Sequence, residues 1–197
     1  MSERPASENE ILRRYLATAF QALRWKLDGV SEYDLRRPLV DSGTNLLGIA
    51  KHVGLVSAGY FSVVFGRPTA TPEYPEHEPN ADMWATADES ADDIRQLLDT
   101  AAGEVDAALA ELPIDAPGHV PWWGGDESNT SLGFVAVHLL AEVNRHTGQA
   151  DILRETIDAQ IGLAPGRENL PGADDGVDAQ WWIDHRARLQ ALAESFR

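Results

Sequence analysis

The sequence predicts an all-α protein: a four-helix bundle in outline, with an additional C-terminal helical segment. Three observations lead there. Apolar residues recur at helical spacing in four long stretches. Breaks rich in proline and glycine separate these stretches. No stretch shows the period-two alternation of a half-buried strand. At 197 residues the chain makes one domain. Its core is expected at about 9–160, with a linker and helix at 161–197.

The first helix is predicted over 9–29, where Ile11, Leu12, Tyr15, Leu16, Ala19, Leu23 and Leu27 share a stripe and Gly29 supplies a stop. Residues 30–43 read as a connection, because Pro38 keeps its preceding neighbour out of a helix. Thr44 is placed to cap a second helix over 45–65. Gly48, Gly54 and Gly59 interrupt it, each costing about 1 kcal/mol relative to Ala. They are tolerable if small residues let another helix approach closely. Residues 66–82, with four prolines and several acids, read as a surface loop. A third helix is predicted over 88–112, ended by Pro113. The stretch 113–129 is long for a bundle connection and holds Trp122, Trp123, Gly124 and Gly125 in a row. Thr130 or Ser131 opens the fourth helix, which runs to about 160. Residues 162–176 read as a linker and 177–197 as an amphipathic segment carrying Trp181 and Trp182. Four helices so spaced make an up-down-up-down or a crossover bundle.

Composition excludes several function classes. Thirty-two acidic residues against sixteen basic ones give a net charge of −16. Nucleic-acid binding needs a basic face, and so does docking on an anionic membrane. Cysteine is absent, which removes disulfides, thiolate metal sites and a cysteine nucleophile. The polar start lacks the apolar core of a signal peptide, and no apolar run approaches the ~20 residues of a membrane span. A cytoplasmic location is therefore expected. The apolar C-terminal segment needs cover, which a second copy in a homodimer would supply.

The chemistry lies on the fourth helix. His138, Glu142 and His146 follow one another at intervals of four. Residues at i and i+4 stack on one helical face, so two such side chains can grip one divalent metal. All three cannot, because His138 and His146 are about 12 Å apart along the axis. The pair is either 138/142 or 142/146. The second helix offers His52, and bundle sites are built from facing helices. One imidazole from the second helix with a Glu/His pair from the fourth makes a ligand set for Zn²⁺, Ni²⁺ or Fe²⁺, with positions left for water or substrate. Against this stands the commoner fate of a helical histidine, as a surface or satisfied core residue.

The run Glu142-Val-Asn-Arg-His146-Thr-Gly148-Gln149-Ala-Asp151-Ile-Leu-Arg154-Glu155 resembles the fourth-helix signature of the DinB superfamily, the DinB/YfiT-like metalloenzymes. Leu46-Leu-Gly-Ile-Ala-Lys-His52-Val resembles its first ligand motif, and Trp181-Trp182-x-x-His-Arg-x-Arg the tail of an actinobacterial branch. The resemblance implies a divalent metal between the second and fourth helices, held by His52, Glu142 and His146. Many members have His in place of Glu142. The branch similar to mycothiol-dependent maleylpyruvate isomerase and mycothiol S-transferases has His, Glu and His, as here. It implies Zn or Ni as metal, mycothiol as a co-substrate and a small electrophile as its partner. Thiol transfer suits a chain without cysteine, since the sulfur comes from the co-substrate. A metal-binding or stress-response bundle without turnover, and a purely structural bundle, are the competing readings.

Several other residues carry two readings each. His138 could touch substrate, orient a ligand or do nothing. Arg145 and Arg154 could bind a substrate carboxylate or ion-pair along the helix with Asp151, Glu155 or Asp158. Asp151 could orient a ligand imidazole or accept a bond from another helix. Trp122 and Trp123 could wall a pocket over the metal or simply pack. Gln149 could cap a neighbouring loop. His77, His119 and His185 read as surface, although His119 lies near the Trp pair, and the acidic segment 73–92 reads as solvated.

Overall fold

A computed structural model describes residues 6–75, 78–168, 170–172 and 175–197, with the backbone alone for Glu127. His77 lies outside the described residues. The architecture is all-α. Helix α1 spans Glu8–Trp25, a short α2 Glu32–Arg36, α3 Leu46–Ala58, α4 Ala91–Glu111, α5 Leu132–Asp158 and α6 Ala179–Glu194. The segment read as a plain connection thus holds one short helix. The predicted second helix ends in a π-helical turn, Gly59–Val63, and the long 113–129 stretch carries a small antiparallel hairpin. Its strands, β1 (Pro117–His119) and β2 (Asn129–Ser131), are too short to register as alternation in a sequence.

Local chemistry explains where the helices begin. Ser7 with Glu10, and Ser90 with Asp93, form reciprocal capping boxes at α1 and α4. Asn45, rather than Thr44, caps α3 through Gly48 N–H. Ser131 caps α5 and Asp178 caps α6. Each is a residue type whose short side-chain oxygen reaches a free N–H of the first turn.

The bundle is a crossover type. Asn9 and Arg13 of α1 meet the far end of α4 at Leu109, Leu112 and Asp106, so these helices run antiparallel. Ala19 of α1 and Lys26, the residue that follows this helix, meet Thr147 and Arg154 of α5, which makes that pair parallel. Gly54 and Ser62, the latter in the π-helical turn that continues α3, meet Leu97 and Glu104 of α4, again in parallel. The order is therefore up-down-down-up, and the long connection 64–90 must return along the length of α3. The core is the cluster formed by Leu16, Leu23, Leu47, Ile49, Phe61, Leu98, Leu139 and their neighbours.

Glycines allow two of the close approaches. A Cβ on Gly54 would lie 1.9 Å from Leu97 Cδ2, so α4 packs where the glycine leaves room. A Cβ on Gly48 would lie 1.8 Å from Met83 O; what approaches there is the returning connection, not a helix. At Gly59 the nearest atom, on Trp122, is 3.7 Å away, an ordinary contact. The stretch Leu46–Val63 has the length and apolar composition of a membrane span, but 78% of it is buried inside the bundle, the setting of a core helix.

Candidate metal centre and the cleft beside it

Helices α3 and α5 run antiparallel, and this brings His52 opposite the middle of α5. His52 Nε2 lies 3.4 Å from Glu142 Oε1, and His146 Nε2 lies 3.0 Å from the same oxygen. The two imidazoles meet edge to face with centroids 4.7 Å apart. One ligand atom from each of the three residues falls within 4.8 Å of the other two. Two ligand bonds of roughly 2.0–2.2 Å at a tetrahedral or octahedral angle span separations like the 3.0 and 3.4 Å to Glu142 Oε1. Of the two helical pairs left open by spacing, the structure brings 142/146 to His52.

The outer ring nitrogens are both engaged. Asp82 Oδ2 accepts a short hydrogen bond from His52 Nδ1, and Gln149 Oε1 sits 2.8 Å from His146 Nδ1. With each Nδ1 turned to an acceptor, both imidazoles direct Nε2 toward the same Glu142 oxygen. Three ligand atoms converging in a partly buried site suit a cation, and an acceptor behind each imidazole is the usual way the orientation of a ligating histidine is fixed. The residues present fit a divalent metal.

Electrostatics agree. Partial burial pushes the Glu142 carboxyl up, but the hydrogen bond from His52 and the charge of His146 outweigh it, and the group is held below its ordinary value. Burial likewise pushes Asp82 up and is outweighed by its bonds with His52 and Tyr74, again a net lowering. For Tyr74, burial and then Asp82 raise the phenol. Both carboxylates are therefore ionised at neutral pH, as metal ligation and imidazole orientation require.

Asp82 corrects the reading of 73–92 as solvated surface. It is buried, in a one-turn 3₁₀ helix, Ala81–Met83, that lies against α3. Lys51, the neighbour of His52, fastens the connection: its buried Nζ reaches Ala81 O at 3.2 Å, Trp84 O at 3.0 Å and Glu89 Oε2 at 2.9 Å. Arg36 holds the same stretch through Ala85 O, Thr86 O and Glu89 O.

Other expected site residues fall elsewhere. Asp151 orients no ligand; its Oδ1 takes Lys26 Nζ at 2.6 Å and Gly162 N–H at 3.0 Å. Five residues beyond His146, it points about 140° away round the helix. Arg154 is buried, paired with Asp158 and bonded to Lys26 O, so it is a strut between α1 and α5. Arg145 is exposed, away from the triad. Gln149 caps no loop; it stands behind His146. His119 is exposed on β1, with Nδ1 3.3 Å from Asn129 Oδ1, and His185 stacks on Trp181.

His138 lies one turn before Glu142 and is not a member of the triad. Its ring meets Tyr60 and Trp123 edge-on, each at 5.1 Å between centroids. Tyr60, in the π-helical turn, accepts hydrogen bonds from the indoles of Trp123 at 3.1 Å and Trp122 at 3.4 Å. His138, Trp122 and Trp123 border a cleft of about 1020 Å³, and Tyr60 holds the two indoles from behind.

A family model described as Mycothiol-S-transferase matches residues 11–159. The chain belongs to the mycothiol-S-transferase family. That family lies within the DinB-like superfamily, so the resemblance drawn from α3 and α5 holds. The match contains His52, Glu142, His146, Asp82, Gln149 and the Trp pair, and it ends before α6, so the likeness of the Trp181-Trp182 tail falls outside it. No curated protein matches the chain.

Proposed function

We propose that the chain is a divalent-metal-dependent S-transferase that joins a low-molecular-weight thiol, mycothiol, to small electrophiles. The observation that carries this reading is the convergence of His52 Nε2, Glu142 Oε1 and His146 Nε2 within 4.8 Å, inside a sequence of the mycothiol-S-transferase family. Zn²⁺ or Ni²⁺ would be the metal, since two imidazoles and one carboxylate are a borderline donor set that leaves positions open. Bound there, such an ion supplies the Lewis acidity that favours a thiolate over a thiol at neutral pH.

The chain's own residues do the rest. His52, Glu142 and His146 hold the ion, while Asp82 and Gln149 keep the imidazoles turned inward. The chain has no cysteine, so the nucleophilic sulfur must arrive with the co-substrate. His138 and the Trp pair line the approach one helical turn away. A cytoplasmic homodimer is the setting we propose, with a second copy covering α6, whose apolar side chains are exposed.

The test measures bound metal and thiol conjugation together. Reloaded protein should accelerate consumption of mycothiol by a maleimide, and Glu142→Ala should lose both the metal and the acceleration. A protein that binds metal stoichiometrically yet accelerates no thiol, whether mycothiol, cysteine or glutathione, would be a non-catalytic metal-binding bundle instead.

A further inference from the structure

The cleft beside the triad has a lining that the metal site does not explain. Trp122 is 51% exposed and Phe134 61% exposed, and both flank it, with Trp123 between them, its ring edge-on to that of Phe134 at 5.9 Å. Neutral groups of Asn129 and Thr130 complete the rim, and among the described residues no Asp, Glu, Lys or Arg lines it. In a chain with a net charge of −16, a cleft of about 1020 Å³ whose described lining is uncharged contrasts with the rest of the composition. At its inner end stands His138, half-buried among aromatic edges, with no hydrogen bond to any described residue. An imidazole so placed has polar capacity to spare for a ligand.

We propose that this cleft binds uncharged planar aromatic molecules and is the electrophile subsite of the enzyme. The rings of Trp122, Trp123 and Phe134 offer flat apolar surface to a ring, worth about 0.5–1.5 kcal/mol per aromatic pair beyond area burial. An anionic ligand would lose its hydration without gaining a fixed cation. His138 meets the polar atom at the ligand's inner end, and this sets its direction. His138 precedes Glu142 by four residues, a rise of about 6 Å along α5, so the inner end is the one that faces the metal ligands. The electrophile role rests on the transferase reading; the affinity for aromatic rings does not.

The test uses unreactive probes on the full chain, first stripped with chelator and then loaded with Zn²⁺. Calorimetry should show 2-naphthol binding with the same affinity in both states. Anionic 2-naphthoate and non-aromatic cyclohexanol should bind at least tenfold more weakly, and myo-inositol not at all. Trp122→Ala and Phe134→Ala alter exposed side chains, so both should fold, and each should weaken 2-naphthol about tenfold. His138→Leu should weaken it while leaving metal content unchanged. Undiminished binding in the two alanine variants, or equal binding of cyclohexanol, would overturn the proposal. Preference for myo-inositol would make the cleft a polyol platform and overturn it too. A chain that binds 2-naphthol but conjugates no thiol keeps its aromatic site and loses the transferase reading. A chain that turns over N-phenylmaleimide and N-methylmaleimide with equal KM, and ignores 2-naphthol, keeps the transferase reading and loses the subsite.

Discussion

Asp82 and Gln149 perform the same task on two imidazoles: each accepts from an Nδ1 and leaves an Nε2 facing Glu142. Asp82→Asn should therefore fold, yet its metal affinity should fall about 10–100-fold, as partners behind ligating histidines typically dictate. Competition with a chromophoric chelator measures this, and an unchanged affinity would show that Asp82 does not orient His52. The triad itself was legible in sequence because an interval of four fixes two side chains on one helical face. Spacing alone could not choose between 138/142 and 142/146; the antiparallel placement of α3 makes the choice. Gln149 was readable in principle, since it follows His146 by three residues on the same face. Asp82 was not. It reaches His52 from 30 residues away, out of a segment whose prolines and acids have the composition of a solvated loop.

At the scale of elements, the crossover 64–90 is the part that composition misdescribes. What fastens it is Lys51, which helical periodicity alone would assign to a polar face but which is buried against Ala81 O, Trp84 O and Glu89. Glu89→Gln should destabilise the fold by about 1–3 kcal/mol at neutral pH, the cost of a charged partner lost from a buried donor. Burial raises the Glu89 pKa, but Thr86 N–H and Lys51 outweigh this, and the folded value is lowered. A lowered carboxylate stabilises above its unfolded value of about 4.5 and loses that contribution as pH falls through the folded value. The difference in Tm between wild type and variant should thus be full at pH 6–7 and shrink below about pH 4. Melting curves across this range check it, and a constant difference would contradict the assignment. Gly48→Ala tests the same element sterically. With Met83 O in the way, it should cost about 1–3 kcal/mol and displace the turn that carries Asp82, weakening metal binding as well. Gly59→Ala, with nothing nearer than 3.7 Å, should change stability by less than about 1 kcal/mol.

For the whole molecule, the bundle was legible from apolar stripes and capping residues, and its helices begin and end near the predicted positions. Its connectivity was not, because a loop's length permits a crossover without requiring one. The C-terminal helix α6 stands apart energetically. None of its residues is buried, whereas Lys26 ties the start of the linker to the core through Gly162 O. Removing residues 178–197 should therefore leave Tm within a few degrees of wild type and leave metal content intact. Light scattering of the two forms tests the homodimer: loss of the dimer on truncation is expected, and a monomeric full-length chain would remove that proposal.

The central claim is that one metal ion sits between α3 and α5 on His52, Glu142 and His146. Its most direct test is the metal-to-protein ratio of wild type and of the His52, Glu142, His146 and His138 alanine variants, after identical stripping and reloading with Zn²⁺ or Ni²⁺. The wild type and His138→Ala should hold one ion per chain, and the other three variants should hold little or none. A wild type that stays empty after reloading, or a site emptied by His138→Ala but not by His146→Ala, would contradict it.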